Sequence, residues 1–559
     1  MPATKTAQNG AAATEAAATQ VGEYVAAAFS QTSTVAGDVN AALGSAVLPV
    51  PDGGSGPHPA LLAALRSAVG HHGVVVDPSM TASYSRDMMP LAPSGSPLAV
   101  VFPSTTAQVA AVVRACASAG VPLVPRGAGS GLTGAANAVD GAVTVVLTKM
   151  NRILEIDEGN RLAVVQPGVV NLDFRTEVES RGLFYAPDPS SYDWCTIGGN
   201  LSTNAGGLCC VKYGVTTDAV LGLEVVLGSG EVLRTGRRTV KGVAGYDLTR
   251  LIVGSEGTLG IITEATLALR PKPAAPCTLV AAFATTEAAC EAVSGAIRAG
   301  LVPSLLEIMD ATCIRAVQAH TGSSILGDGE PPAAILIGQS DAGAAIGRRE
   351  MELLERVCAS AGAVFAYVTE DLAEGRMLLQ ARRAVLPSLQ VLGTWLTDDV
   401  CVPRTAIAQL ISACERIASD VGLTIGVVGH AGDGNMHPTI VYDASDPAQL
   451  TSARDAFGRI LDAGRALGGT VTGEHGIGRV KQEFLRAEIG AIGMDVHRAI
   501  KRALDPAGLF NPGSMFSADQ LQVSEIGPAS TSAPTRTSTR PPSITSPAAP
   551  GSVPGNRSA

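Results

Sequence analysis

Pro125-Arg126-Gly127-Ala128-Gly129-Ser130-Gly131-Leu132-Thr133-Gly134 is the stretch on which the fold turns. Gly129, Gly131 and Gly134 satisfy the G-x-G-x-x-G fingerprint of dinucleotide-binding folds. Glu155 and Asp157 follow at roughly the spacing of twenty residues where a ribose-binding acid would stand. That fingerprint needs a helix after the glycines, which would make the chain a nicotinamide-dependent dehydrogenase. Here residues 137–141 read as a turn and the AVTVVL run at 142–147 as a strand, so the context is strand, loop, strand. Glycines at 127, 129, 131 and 134 can still turn backbone N–H groups inward and admit a pyrophosphate, because no Cβ is in the way. By itself the loop serves equally well as a tight turn with no ligand.

Two more glycine-rich loops lie outward from it. Pro187-Asp188-Pro189-Ser190-Ser191 runs into TIGGNLSTNAGG at 196–207, and GSEGTLGIIT spans 254–263. Three such loops in one region are hard to ascribe to chance. Between Pro59 and Arg270 short strand-like runs alternate with Gly/Pro punctuation and a few helical patterns, which reads as an α+β domain. The clearest helix is TAQVAAVVRACASAG, expected to start on a Thr106 cap, to end at Gly120, and to bury Val109, Val112 and Val113. RPKPAAP, with Pro271 and Pro273, marks a boundary, after which longer-spaced strands and helices read as a second α+β domain. The organisation expected is a disordered Ala/Thr-rich N-terminus (1–56), a first domain (57–272), a second domain (273–516) and a disordered Ser/Thr/Pro-rich tail (517–559).

Composition excludes several classes. A chain of 559 residues exceeds one hydrophobic core. Its 40 Lys and Arg against 50 Asp and Glu form no basic block that would track a phosphate backbone, so nucleic acid is not an expected partner. The apolar runs end within a few residues, well short of a membrane span. Ten scattered cysteines without a C-x-x-C give neither a disulfide framework nor an iron–sulfur site, which suits a reducing, cytoplasmic setting. The first residues resemble neither a secretory signal nor a transit peptide.

Of eight histidines, His430 and His437 stand in GHAGDGNMHP, and His475 follows Glu474 in GEHG. Seven residues of unbroken strand would place His430 and His437 on opposite faces, but Asp433-Gly434 supplies a turn that can fold them together. Imidazole and carboxylate suit Zn, Mn or Fe as divalent ions, and three protein ligands leave positions open for substrate. Each histidine read alone is better explained as a satisfied polar group beside a loop. A His/His/Glu set also serves metallohydrolases, which leaves the three glycine loops without a task.

Taken as a set, PRGAGSGLTG, TIGGNLSTNAGG, GYDLTRLIVGSEGTLGIIT, GHAGDGNMHP and GEHGIGRVK resemble the FAD-linked oxidases of the vanillyl-alcohol oxidase and p-cresol methylhydroxylase type. The resemblance covers about residues 60–516 and is strongest to the branch holding D-lactate dehydrogenase, D-2-hydroxyglutarate dehydrogenase and the D subunit of glycolate oxidase. It implies an α+β fold: a two-subdomain PCMH-type FAD-binding domain, then an α+β substrate (cap) domain with a C-terminal helical segment. It further implies that Arg126, Gly127, Gly129, Ser130 and Gly131 hold the pyrophosphate of FAD. Pro189, Ser190, Thr196, Gly199, Ser202 and Asn204 would line the flavin side, and Glu256, Gly257 and Ile262 the adenosine region. Some relatives link the flavin through a histidine where this loop has Ser130, so non-covalent FAD is expected.

By the same resemblance His430, His437 and Glu474 are ligands of a divalent metal, zinc first and Mn or Fe as alternatives. Asn435 contacts substrate, His475 is the base, and Arg382 grips the substrate carboxylate, with Arg383 as its alternative. The activity implied is oxidation of glycolate or a small (R)-2-hydroxy acid to the 2-oxo acid, with hydride passing to the flavin. Val385 and Leu386, and the lack of Lys between Arg383 and Lys481, disfavour a second substrate carboxylate. D-2-hydroxyglutarate dehydrogenase and a non-catalytic flavoprotein subunit are the alternatives. The chain carries no electron relay of its own, which implies an iron–sulfur or other electron-transfer partner subunit and a location in the cytoplasm or peripheral to a membrane complex.

Overall fold

A computed structural model of the chain describes residues 58–322 and 330–517. The disorder expected for 1–56 and for the tail from 518 lies outside the described residues.

The G-x-G-x-x-G stretch begins as the strand Leu123–Arg126, leaves it as an irregular loop, and returns as the strand Val143–Val146. No helix follows the glycines, as the strand, loop, strand reading expects. These two strands pair in parallel, and with Ala99–Val101 and Val74–Val75 they form a four-stranded sheet. The helix Thr106–Ala119 packs on it through Val109, Val112, Val113 and Cys116, all fully buried. At about 1.5–3 kcal/mol per large buried apolar side chain, that stripe accounts for its docking. Its cap is Thr105 rather than Thr106: the Thr105 hydroxyl accepts the Gln108 N–H at 3.2 Å, and Thr106 is already helical. Gly120 ends the helix in the left-handed region at φ 63°.

A second, fully antiparallel sheet orders its strands Ile153–Asp157, Leu162–Val165, Ile261–Ala268, Val220–Val226 and Val232–Gly236. A third, eight-stranded and antiparallel, is built from residues 277–442. At its centre lie Leu305–Asp310, Thr424–His430 and Asn435–Tyr442, and the short strand Val400–Cys401 pairs with the last of these. Helices Pro447–Ala466 and Gln482–Leu504 follow, the latter broken at Gly490.

One segment of the second half joins the first sheet. Residues 509–511 return to the first sheet, where the Leu123 N–H donates to the Leu509 carbonyl (2.8 Å) and the Asn511 N–H to the Leu123 carbonyl (2.7 Å). Leu509 and Phe510 are buried in the core around Val143 and Val145, which is what draws the segment away from its sequence neighbours. Among the described residues no helix is long and apolar enough to cross a membrane.

Candidate active site

The three glycine loops converge on the short helix Ile197–Thr203. Its Thr196 cap accepts the Gly199 N–H, and a Cβ on Gly127 would lie 2.5 Å from the Thr196 hydroxyl, so the first loop touches the second through bare backbone. The third loop is tied on from the other side. The Gly254 N–H donates to the Leu201 carbonyl (2.9 Å) and the Glu256 N–H to the Ser202 carbonyl (2.8 Å). Gly127, Gly129, Ser130, Gly131, Gly199, Ser202 and Asn204 stay partly open to solvent, Ser190 is exposed, and Pro189, Thr196 and Gly257 are buried.

Several of the expected cofactor residues have their side chains engaged within the protein, among them Thr196, Ser202 and Asn204 in local bonds and three others over longer range. The Arg126 guanidinium donates to the carbonyls of Ala136 (3.1 Å) and Arg86 (2.8 Å), so it holds the shape of its loop. Ile262 packs in the core of the second sheet. Glu256, in a left-handed conformation at φ 52°, accepts the N–H groups of Ile477 and Gly478 at 2.7 Å each. Burial pushes the Glu256 carboxyl up to about 6 against the pull of those donors. It ties the segment that follows Glu474-His475 to the third glycine loop.

That mooring places the histidine cluster. Thr424–His430 and Asn435–Tyr442 form a hairpin with His430 opposite Asn435 and Val428 opposite His437. Positions 428 and 430 share a face, as do 435 and 437, so the four-residue turn puts His430, Asn435 and His437 on one side. Gly434 supplies the turn at φ 93°. Glu474 arrives over that face from the GEHG loop. Its Oε1 lies 3.3 Å from His430 Nε2 and 3.1 Å from His437 Nε2, while its other oxygen packs where a Gly206 side chain would be. The His475 ring stacks on His437 at 5.0 Å between centroids.

Two carboxylates that the sequence reading did not single out stand behind the imidazoles. Glu307 accepts from His430 Nδ1 at 2.7 Å through one oxygen and from Arg382 Nε at 2.9 Å through the other. Asp399 uses Oδ2 to accept the Thr472 hydroxyl (2.6 Å) and the N–H groups of Gly473 (2.9 Å), Glu474 (3.0 Å) and His475 (2.8 Å). The available signal was a charge inside an apolar strand, LLEIM at 305–309 and LTDDV at 396–400, which must find a partner when buried.

Arg382 is buried with its Nε held by Glu307, whereas Arg383 is exposed over the Tyr192 ring. The two neighbours therefore face different surroundings, Arg382 the buried cluster through Glu307 and Arg383 the surface. Val385 packs in the core beside Leu389, so it says nothing about a second substrate carboxylate.

The electrostatics fit a cation. Burial opposes every charge here, yet the bonds from His430 and His437 hold Glu474 well below the usual carboxylate range. His430 and Arg382 likewise lower Glu307 against its burial. Burial pushes His475 down to about 4, so it is neutral at physiological pH. Against its burial, Glu307 and Glu474 hold His430 well above the usual imidazole range, and Glu307, Glu474 and Asp399 together give the imidazoles a carboxylate-rich lining that could hold a cation. The donor spacing agrees, since an ion with ligand bonds of about 2.1 Å at tetrahedral angles holds its donors roughly 3.4 Å apart.

A glycine-lined phosphate loop, a two-sheet cofactor domain and a third sheet carrying polar groups over the cofactor loops define an FAD-dependent oxidoreductase of the p-cresol methylhydroxylase fold. Residues 97–236 match the FAD binding domain family, and residues 272–515 match the C-terminal domain of FAD linked oxidases. The glycolate oxidase subunit GlcD of Bacillus subtilis is 42% identical over 437 residues, covering 78% of this chain and 92% of that protein. The D-lactate dehydrogenase of Anaerostipes hadrus is 32% identical, covering 79% and 94%. Among solved structures, 4-ethylphenol oxidase from Gulosibacter chungangensis superposes with a TM-score of 0.68 at 22% identity, covering 84% of this chain and all of that one. p-Cresol methylhydroxylase with substrate bound superposes at 0.66 and 20% identity, covering 82% and 97%. The chain belongs to the FAD-linked oxidase family.

Proposed function

We propose that the chain oxidises glycolate or a small (R)-2-hydroxy acid such as D-lactate to the 2-oxo acid. The observation that carries this reading is the convergence of His430 Nε2, His437 Nε2 and Glu474 Oε1 against the glycine loops at Gly206 and Glu256. The relatives named for glycolate and D-lactate support the substrate class.

Each task of the reaction has a residue. The two Nη groups of Arg382, not engaged by Glu307, present a planar fork that takes a substrate carboxylate bidentately. His475, kept neutral by burial, takes the hydroxyl proton. Asn435, on the same face as both imidazoles, has its buried Oδ1 without a partner and ready for a substrate donor. FAD, when bound, accepts the hydride from the α-carbon. A divalent ion on His430, His437 and Glu474, zinc first by its donor set, would polarise the hydroxyl and lower its pKa. The domain division near 272/273 follows the same logic: the first part holds FAD and the second brings the polar face to it.

The test is anaerobic mixing of the purified yellow enzyme with glycolate, both lactates and both 2-hydroxyglutarates. Flavin bleaching by glycolate or D-lactate, with 2-hydroxyglutarate slow, is expected; bleaching by neither small acid would overturn the reading. With no cluster-forming cysteine pattern, electrons leave for a separate carrier, here an electron-transfer partner subunit. The bleached enzyme should therefore regain colour quickly with an artificial dye and slowly with air. Recolouring in air as fast as turnover would make it a true oxidase.

Ser130, rather than a histidine, in the pyrophosphate loop supports non-covalent FAD. Acid precipitation is expected to release all the flavin into the supernatant. Yellow colour left in the pellet would contradict it.

A further inference from the structure

The eight-stranded sheet ends at the strand Ala363–Thr369, which pairs on its inner side with Cys277–Phe283. Among the described residues no strand pairs with its outer side. Every second residue of an antiparallel strand turns its N–H and C=O to that side, and the row they form is a template for another strand. Other sheet edges of the molecule are guarded. Ile153–Asp157 carries Glu155 and Asp157, Val232–Gly236 carries Arg234, and Thr394–Thr397, at the far end of the same sheet, has only four residues. Ala363-Val364-Phe365-Ala366-Tyr367-Val368-Thr369 has no charge and no proline. A register shift between Ala282 and Phe283 makes Val364 an extra residue at one end, after which residues 365–369 run on in regular register. Val364 is 65% exposed, and the four residues after it are half-buried.

The order of the residues says which strand fits. From Ala366 the sequence reads aromatic then valine in both directions, Tyr367 and Val368 one way, Phe365 and Val364 the other. An identical strand laid antiparallel and centred on Ala366 therefore sets Ala366 against Ala366, Phe365 against Tyr367 and Val364 against Val368. Such aromatic and β-branched cross-strand pairs stabilise a sheet, and self-complementarity of this kind is what a two-fold axis requires. Phe365 and Tyr367 already lie against the core around Leu305, Ile337 and Leu378, so the pairing extends that core from one chain into the next.

We propose that two copies of this chain pair through their Ala363–Thr369 edges about a two-fold axis at Ala366, joining their sheets into one. The helix Leu372–Arg383, which carries Arg382, follows the strand directly, and its Glu374 accepts from the hydroxyls of Tyr367 (3.1 Å) and Thr369 (2.5 Å). The interface thus braces the foot of that helix.

The test is the mass of the full-length, flavin-loaded enzyme in solution, measured by light scattering on a sizing column at micromolar chain concentrations. The wild type is expected at twice the 56.6 kDa of one chain. Ala366→Lys sets two ammonium groups face to face at the axis and should raise the dimer dissociation constant by about tenfold or more, as should Ala366→Glu with its two carboxylates. An equimolar mixture of the two variants should regain the wild-type mass, because position 366 then meets the opposite charge. A strand paired in another register does not bring 366 to 366, so a mixture that stays monomeric overturns the proposal. Should Ala366→Lys fail to fold, Val364→Lys mixed with Val368→Glu puts the same question one pair further out. A monomeric wild type overturns the proposal, as does a dimer that both lysine variants leave intact, or a wild type that sizes as one chain bound to a different protein.

Discussion

Glu474→Gln is expected to lower turnover by about 10³ or more while leaving FAD bound. The substitution keeps the shape of the side chain but removes the carboxylate that, among the described residues, reaches both imidazoles, at 3.3 and 3.1 Å. The amide would offer an N–H where an ion's ligand or a proton acceptor is needed. On the proposed reading, losing the ion that Glu474 would help hold and the charge that orients two imidazoles is a loss of several kcal/mol in the transition state, and about 4 kcal/mol corresponds to a factor of 10³. The flavin should stay, because the loops around the helix Ile197–Thr203 hold together through backbone bonds in which the Glu474 side chain takes no part. Visible absorbance, metal content and dye-coupled turnover, measured on one preparation, check all three statements. A variant with wild-type turnover, or one that loses its flavin along with activity, would show that the two sites are not separable as described.

How far this was legible in the sequence depends on the range of each interaction. The hairpin at His430 and His437 was legible because its turn residues, Asp433 and Gly434, lie between the two histidines. The rejection of the dinucleotide fold was legible for the same reason: the strand after the glycines begins only nine residues beyond Gly134. Glu307 was not, since its partner His430 is 123 positions away and nothing local marks which buried carboxylate meets which imidazole. The assignments of Arg126 to the pyrophosphate and of Glu256 to the adenosine region came from resemblance. It does not reveal that the Arg126 fork is spent on the carbonyls of residues 86 and 136, or that the Glu256 carboxylate reaches across to residues 477 and 478. The return of Leu509 and Phe510 to the first sheet is likewise invisible locally, because an apolar pair after a long helix can dock on any core within reach.

Lys481→Met is expected to destabilise the enzyme by about 3–5 kcal/mol, the cost of leaving a buried charge without its partner. Lys481 is 1% exposed, and its Nζ lies 2.9 Å from Asp398 Oδ1, 3.0 Å from the Asp399 carbonyl and 2.7 Å from the Val471 carbonyl. Methionine fills the volume but satisfies none of these acceptors, and Asp398 Oδ2 already lacks a hydrogen-bond partner. The pH dependence has a definite sign. Burial raises the Asp398 carboxyl even with Lys481 present, and loss of the ammonium raises it further. A carboxyl whose folded value is raised favours the folded state in its protonated form, so that contribution is present at acid pH and lost as pH rises through the raised value. The variant should therefore fall furthest behind the wild type at neutral pH and recover toward it on acidification. Asp398→Asn added to Lys481→Met should restore most of the loss, since the uncompensated charge is what costs. Thermal melts of the wild type, Lys481→Met and the double variant at pH 5 and pH 7.5 decide it. Equal melting temperatures for the single variant and the wild type at pH 7.5 would mean that Asp398 is solvated or neutral in the folded protein. Because Lys481 bonds both the Asp399 carbonyl and the Val471 carbonyl, the same substitution loosens the strand end that carries Asp399 and the loop whose N–H groups it gathers. Turnover should fall with stability even though Lys481 touches neither flavin nor substrate.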